Sequence, residues 1–164
     1  MALRLPIGID DFRKLRELRL EYVDKSHLIR ELLDKRGVEV ALLPRPRRFG
    51  KTLNLSMLRY FFEKSSEDLS HLFQDLSMWR AGEEYRAHFQ RYPVIYLTLK
   101  DIKLARFEDC VSALRKKVAI LFREHLYLLE DGQLNEWEIE DYRAILDGTA
   151  DAVLHARALL DLSG

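Results

Sequence analysis

The run Arg45-Pro46-Arg47-Arg48-Phe49-Gly50-Lys51-Thr52 gathers the residues best able to do chemistry in this chain. Its last three residues match the end of the phosphate-binding pattern Gly-x-x-x-x-Gly-Lys-Ser/Thr. In that pattern backbone N–H groups cradle phosphate, the lysine reaches the β and γ oxygens, and the hydroxyl holds Mg2+. Gly50 would let the backbone approach a phosphate closely, Lys51 would supply the charge, and Thr52 is the candidate metal ligand. Arg47 and Arg48 add charge at the rim. The first glycine of the pattern is replaced by Arg45, and Pro44 and Pro46 have no N–H to donate. The cradle must then come from the second half of the loop, Arg48 to Leu53. The expected nucleotide-binding residues are Arg47, Arg48, Phe49, Gly50, Lys51, Thr52 and Leu53.

Two elements have to position such a loop. Before it, Val38-Glu39-Val40-Ala41-Leu42-Leu43 is a short apolar, β-branched stretch that reads as a buried strand and is ended by the prolines. After it, Lys51 to Lys64 carries Leu53, Leu55, Met57, Leu58, Tyr60, Phe61 and Phe62 without Gly or Pro, which predicts a helix apolar around most of its circumference. A helix starting near Gly50 aims the free N–H groups of its first turn, and the positive end of its dipole, at the loop. Phosphate is the natural occupant.

Four blocks carry a family resemblance: Leu5-Pro6-Ile7-Gly8-Ile9-Asp10-Asp11-Phe12, Tyr22-Val23-Asp24-Lys25-Ser26, Arg45 to Leu58, and Tyr92-Pro93-Val94-Ile95-Tyr96-Leu97-Thr98-Leu99-Lys100-Asp101. In order and spacing they resemble the AAA-ATPase-like domain of bacterial and archaeal proteins that usually carry a PD-(D/E)XK nuclease-like domain further on. Arginine in place of the first glycine is usual in that family. The resemblance implies an α/β, partial P-loop NTPase fold, helix-rich, with two short strands at about 38–43 and 94–99. It implies one domain over residues 1–164, with ATP and Mg2+ as cofactors.

The family's next block, an apolar strand ending in an acidic Walker B motif, has no counterpart, so the chain reads as a domain shortened before that strand. Without that acid the expectation is nucleotide binding rather than hydrolysis, and no catalytic residue is assigned. Asp101, at the end of Val94 to Lys100, is the one remaining Walker B candidate; an exposed strand-end carboxylate is the alternative. Two isolated strands would leave unpaired backbone edges, which another protein chain could complete.

Composition narrows the classes. Lys and Arg number 27, as do Asp and Glu, so no net charge draws the chain to nucleic acid or membrane. No stretch has membrane-spanning length and the N-terminus has no apolar leader core, so a cytoplasmic protein is expected. Cys110 stands alone, which excludes an internal disulfide, and His27, His71, His88, His125 and His155 lack ligand spacing.

Elsewhere the pattern is helical. Asp10-Asp11 should cap a basic helix through Phe12, Leu15 and Leu18, and Asp24 or Ser26 a second running through Leu28, Ile29, Leu32 and Leu33 to Gly37. In P-loop ATPases this preceding segment often packs over the adenine, so Ile9, Phe12, Tyr22 and Val23 are base contacts or else core. Further helices are expected at 69–79, 83–92, 106–129, 137–146 and 150–162, where Ala156, Leu159 and Leu160 form an apolar patch. Two other functions stand against nucleotide binding. One is a nucleic-acid contact through Arg45, Arg47, Arg48 and Lys51 with Arg13, Lys14, Arg16 and Arg19. The other is a structural remnant of a truncated gene that binds nothing.

Overall fold

The computed structural model describes residues 5–35, 40–44, 46, 49–100, 102–130, 132 and 134–163. The chain forms two compact units, Met1–Val94 and Ile95–Gly164.

In the first unit, α1 (Phe12–Glu17) starts at Asp11, whose carboxylate accepts the Lys14 N–H at 2.8 Å. The same carboxylate accepts the Tyr60 hydroxyl at 2.9 Å and the Ser56 hydroxyl at 3.3 Å, both from α3 (Lys51–Phe62). Ser56 in turn accepts the Phe12 N–H at 3.0 Å. One acid therefore satisfies the start of α1 and fixes it on α3. Burial, and then this bond to Asp11, pushes the Tyr60 phenol up to about 12.

Behind that seam Phe12, Ile29, Met57, Phe61 and Phe73 form a fully buried core, to which α2 (His27–Asp34) contributes Leu28 and Ile29. Phe61 meets Phe73 and Phe89 edge-on with centroids 5.5 and 5.4 Å apart, the arrangement the ring quadrupoles favour. A 3-10 turn, Ser70–Leu72, and the short α4 (Glu83–Arg86) complete the unit.

The second unit is helical. α5 (Phe107–Glu124), α6 (Glu136–Asp147) and α7 (Ala152–Ser163) enclose Val118, Phe122, Tyr142, Ile145, Ala150 and Ala158. α6 starts with a reciprocal box, in which Asn135 accepts the Glu138 N–H at 3.0 Å and Glu138 accepts the Asn135 N–H at 2.8 Å. It ends on Gly148 at φ 75°, a left-handed cap that a side chain disfavours.

Several expectations need correction. Neither 40–43 nor 94–99 forms a strand, and residues 38 and 39 lie outside the described residues. Among the described residues the only sheet-like pairing is an isolated parallel bridge between Glu63 and Tyr92. The physical reason is that a strand exists only with a neighbour to pair with. Here Val40 is 74% and Leu42 84% exposed rather than buried.

Residues 69–79 keep Leu69, Leu72, Phe73 and Leu76 buried at helical spacing, yet beyond Ser70–Leu72 they fold as turns. Asp24 and Ser26 accept the Ser77 and Met78 N–H groups, an alternative to helical bonds. The helix expected over 83–92 is only four residues long before it passes into turns. The helix expected over 106–129 stops at His125, whose ring bonds the Leu121 carbonyl at 2.8 Å, and continues as the 3-10 turn Leu126–Leu129. Among the described residues no helix is long and apolar enough to cross a membrane.

Candidate phosphate-binding site

α3 opens at the sequence motif itself. Gly50 is its N-cap at φ 71° and ψ 25°, a left-handed backbone that glycine adopts without steric cost. Its carbonyl accepts the Asn54 N–H at 2.9 Å, the first bond of the helical ladder. The N–H groups of Lys51, Thr52 and Leu53 precede that ladder, and no side chain caps them. Three donors and the positive helix end thus converge beside Gly50. Leu53 packs against the unit's core, and Met57 and Phe61, fully buried on the same helix, anchor its later turns. The donors are held by a helix that has little freedom to move.

Charge is available at the same place. Lys51 is exposed, and among the described residues neither its ammonium nor the Thr52 hydroxyl has a hydrogen-bond or ion-pair partner. A second ammonium, Lys25 Nζ, lies 3.9 Å from the position a Cβ on Gly50 would take. Sequence reasoning missed it. The only signal was its place in the Tyr22 to Ser26 block, twenty-five residues before Gly50.

The segment bearing Lys25 is rigidly clasped. Asp24 accepts the Ser26 N–H at 2.8 Å and the Ser77 N–H at 2.7 Å, while the Lys25 N–H donates to the Tyr22 hydroxyl at 3.3 Å. Ser26 is fully buried, its hydroxyl 3.1 Å from that of Ser77. Burial alone would raise the Asp24 carboxyl, but the hydrogen bonds from Ser26 and Ser77 outweigh it and bring the group down to about 2. Asp24 is ionised at any physiological pH.

Of the other expected residues, Phe49 is described and exposed, whereas Arg45, Arg47, Arg48 and Asp101 lie outside the described residues. The four candidate base contacts separate. Phe12 is fully buried core, and Tyr22 is half-buried with its ring edge-on to Phe12 and its hydroxyl 3.3 Å from Met57 Sδ. Ile9 is half-buried and Val23 is exposed, so of the four only Phe12 is closed to a base.

Two of the four basic residues on and after α1 are already paired, while Lys14 and Arg19 stay exposed. Arg13 grips Glu67 through two bonds of 2.7 Å and Glu17 through another, and Arg16 pairs with Asp75 and the Leu72 carbonyl. These arginines are neutralised rather than presented to a polyanion. An apolar groove of 480 Å³ in the second unit is lined by Phe122, Leu134, Trp137, Tyr142 and Leu160 with Glu138, Asp141 and Asp161. It has acids and no cation, so it does not suit a phosphate.

The family model described as a predicted AAA-ATPase matches residues 6–153. The chain belongs to the AAA-ATPase-like family. No curated protein and no solved structure matches it. The AAA-ATPase-like match takes in all of α1 to α6 and with them the Gly50-Lys51-Thr52 start of α3. The donor set of this AAA-ATPase-like chain fits a phosphate, since unpaired N–H groups and unpartnered ammonium groups are what a polyanion needs. For a divalent cation it offers the Thr52 hydroxyl, and among the described residues no three His, Cys, Asp or Glu side chains gather as a metal cluster.

Proposed function

We propose that this AAA-ATPase-like chain binds the phosphates of ATP at the start of α3. The observation that carries this reading is Gly50 in a left-handed cap immediately before Lys51 and Thr52, with three uncapped N–H groups and no counter-charge on Lys51 among the described residues. Gly50 to Leu53 form the backbone cradle, Lys51 neutralises the β and γ oxygens, and Thr52 ligates Mg2+. Phe49 borders the site, and Arg47 and Arg48, just before it in sequence, are proposed to add charge to the bound phosphates. Bound Mg2+·ATP would bring a polarised phosphoanhydride; the protein itself contributes orientation and charge.

The reading is one of binding rather than turnover. No carboxylate among the described residues is hydrogen-bonded to Thr52 or paired with Lys51, and without one a Mg2+ shell and an attacking water lack their usual acidic partner. Segments 40–44 and 94–99 form no strand in this chain alone; their exposed Val40, Leu42 and Leu99 support pairing with a further chain that completes an α/β P-loop sheet.

Thermal unfolding with Mg2+·ATP tests the proposal. A ligand at about a hundredfold over its dissociation constant stabilises the state it binds by ~2.7 kcal/mol. The wild-type chain should gain that much and Lys51→Ala should gain nothing. An equal gain in Lys51→Ala would overturn the assignment of the loop.

A further inference from the structure

We infer that Lys25 is a second phosphate-contacting lysine, reaching over the Gly50 cap to the terminal phosphates of the same nucleotide. This inference rests on the phosphate reading of the α3 start and adds to it a residue from a different part of the chain.

The geometry has three parts. Lys25 Nζ lies 3.9 Å from the Cβ position of Gly50, the residue at which the free N–H groups converge. Among the described residues the ammonium has no hydrogen-bond or ion-pair partner, although acids elsewhere in this unit are engaged by arginines. Its backbone is not free to move away, because Asp24 on one side and Ser26 on the other are tied to Ser77 and Met78. A cation held beside a helix N-terminus is in the wrong place electrostatically, since the dipole's positive end repels it. An anion between the two removes that repulsion.

Asn54 points the same way. It stands one turn along α3 from Gly50 and Lys51, on the same face, and its Cβ tilts back toward the loop. It is 3% exposed, yet its amide has no hydrogen-bond partner among the described residues. No side-chain polar atom among those residues is sealed from solvent without a partner, so the little surface Asn54 keeps includes its amide. Solvent is the only partner that amide has, and a ligand oxygen entering beside the loop would take the place of that water.

The loop's own composition explains why a remote lysine is needed. Pro44 and Pro46 donate no N–H, and Arg45 stands where a full pattern has glycine, so the cradle is short of backbone donors on that side. Lys25 supplies charge that the first half of the loop does not supply as backbone N–H.

Calorimetric titration of the full chain with Mg2+·ATP and with inorganic tripolyphosphate tests this. One charge-assisted contact is worth a factor of about 10 to 100 in affinity. Lys25→Ala should weaken both ligands by the same factor within that range, because the contact is to phosphate alone. It should also flatten the salt dependence of binding. Lys25→Arg should recover most of the affinity, which a purely structural lysine would not explain. The unfolding midpoint without ligand should stay near that of the wild type, and a variant that has lost it is replaced by Lys25→Gln. Wild-type affinity in Lys25→Ala together with loss in Lys51→Ala would overturn the role of Lys25 and leave the loop intact. No binding of either ligand by the wild type would overturn the loop and Lys25 together.

Discussion

Met1–Val94 and Ile95–Gly164 are built on different principles. In the first, side chains reach across about fifty residues of sequence: Arg13 to Glu67, Asp11 to Tyr60, Asp24 to Ser77 and Tyr85 to Asp34 are hydrogen-bonded pairs separated by 54, 49, 53 and 51 residues. In the second, Tyr142 to the Phe122 carbonyl and Arg157 to Asp141 are separated by only 20 and 16. The second unit needs little more than apolar helix faces and caps. The first spends polar groups on fixing loops, and it is the unit that holds the Gly50-Lys51-Thr52 start of α3. A packed helix bundle places side chains by periodicity alone, whereas a site made from two distant segments has to be pinned by specific bonds.

The largest expected effect probes the two cores. Phe61→Ala removes a fully buried ring with three aromatic partners and should cost about 3–5 kcal/mol of the first unit's stability. Denaturant unfolding followed by Trp79 fluorescence in a Trp137→Phe background reads it, because Trp79 belongs to the first unit. A loss under about 1 kcal/mol would show that α3 is not the core helix of this unit.

Two glycines give the sharpest comparison. Gly50 and Gly148 have φ of 71° and 75°, each at one end of a 12-residue helix, and neither Cβ would meet an atom closer than 3.9 Å. Alanine at either should cost about 1–2 kcal/mol through backbone strain alone. Only Gly50→Ala should also weaken Mg2+·ATP in calorimetry. Equal affinity in the two variants would sever the left-handed cap from binding.

Acid should distinguish the units next. The Asp24 carboxyl is held at about 2 against an ordinary 3.8, so the folded protein resists its protonation. Its contribution is fully present above about pH 4 and is lost as pH falls through about 2. Unfolding midpoints of wild type and Asp24→Asn should therefore differ at neutral pH and converge over that window. A gap that persists unchanged at low pH would mean the clasp does not depend on the charge. Smallest is Arg157→Ala, which removes exposed bonds to Asp141 and Asp161 and should cost about 0.2–1 kcal/mol in a chemical melt.

Legibility in the sequence divides along the same line. The Asp11 cap, the start of α3 at Gly50-Lys51 and the helix over 137–146 are local patterns of residue type and spacing, and each forms where the sequence places it. The strands expected at 38–43 and 94–99 rest on apolar, β-branched composition, but pairing is a property of two segments and composition describes only one. The run 69–79 has helical spacing of Leu69, Leu72, Phe73 and Leu76, and loses its helix to Asp24 and Ser26, some fifty residues away. In the candidate site, Gly50, Lys51 and Thr52 are legible because they are contiguous. Lys25 is not, because only the fold brings it to Gly50.

Amide hydrogen exchange with and without saturating Mg2+·ATP tests the central claim most directly, because it reads the backbone donors themselves. Protection should rise at Lys51 to Leu53 and over Tyr22 to Ser26, and α5 to α7 should exchange as before. Unchanged exchange at Lys51 to Leu53, or protection confined to the second unit, would contradict the assignment of the α3 start as the phosphate site.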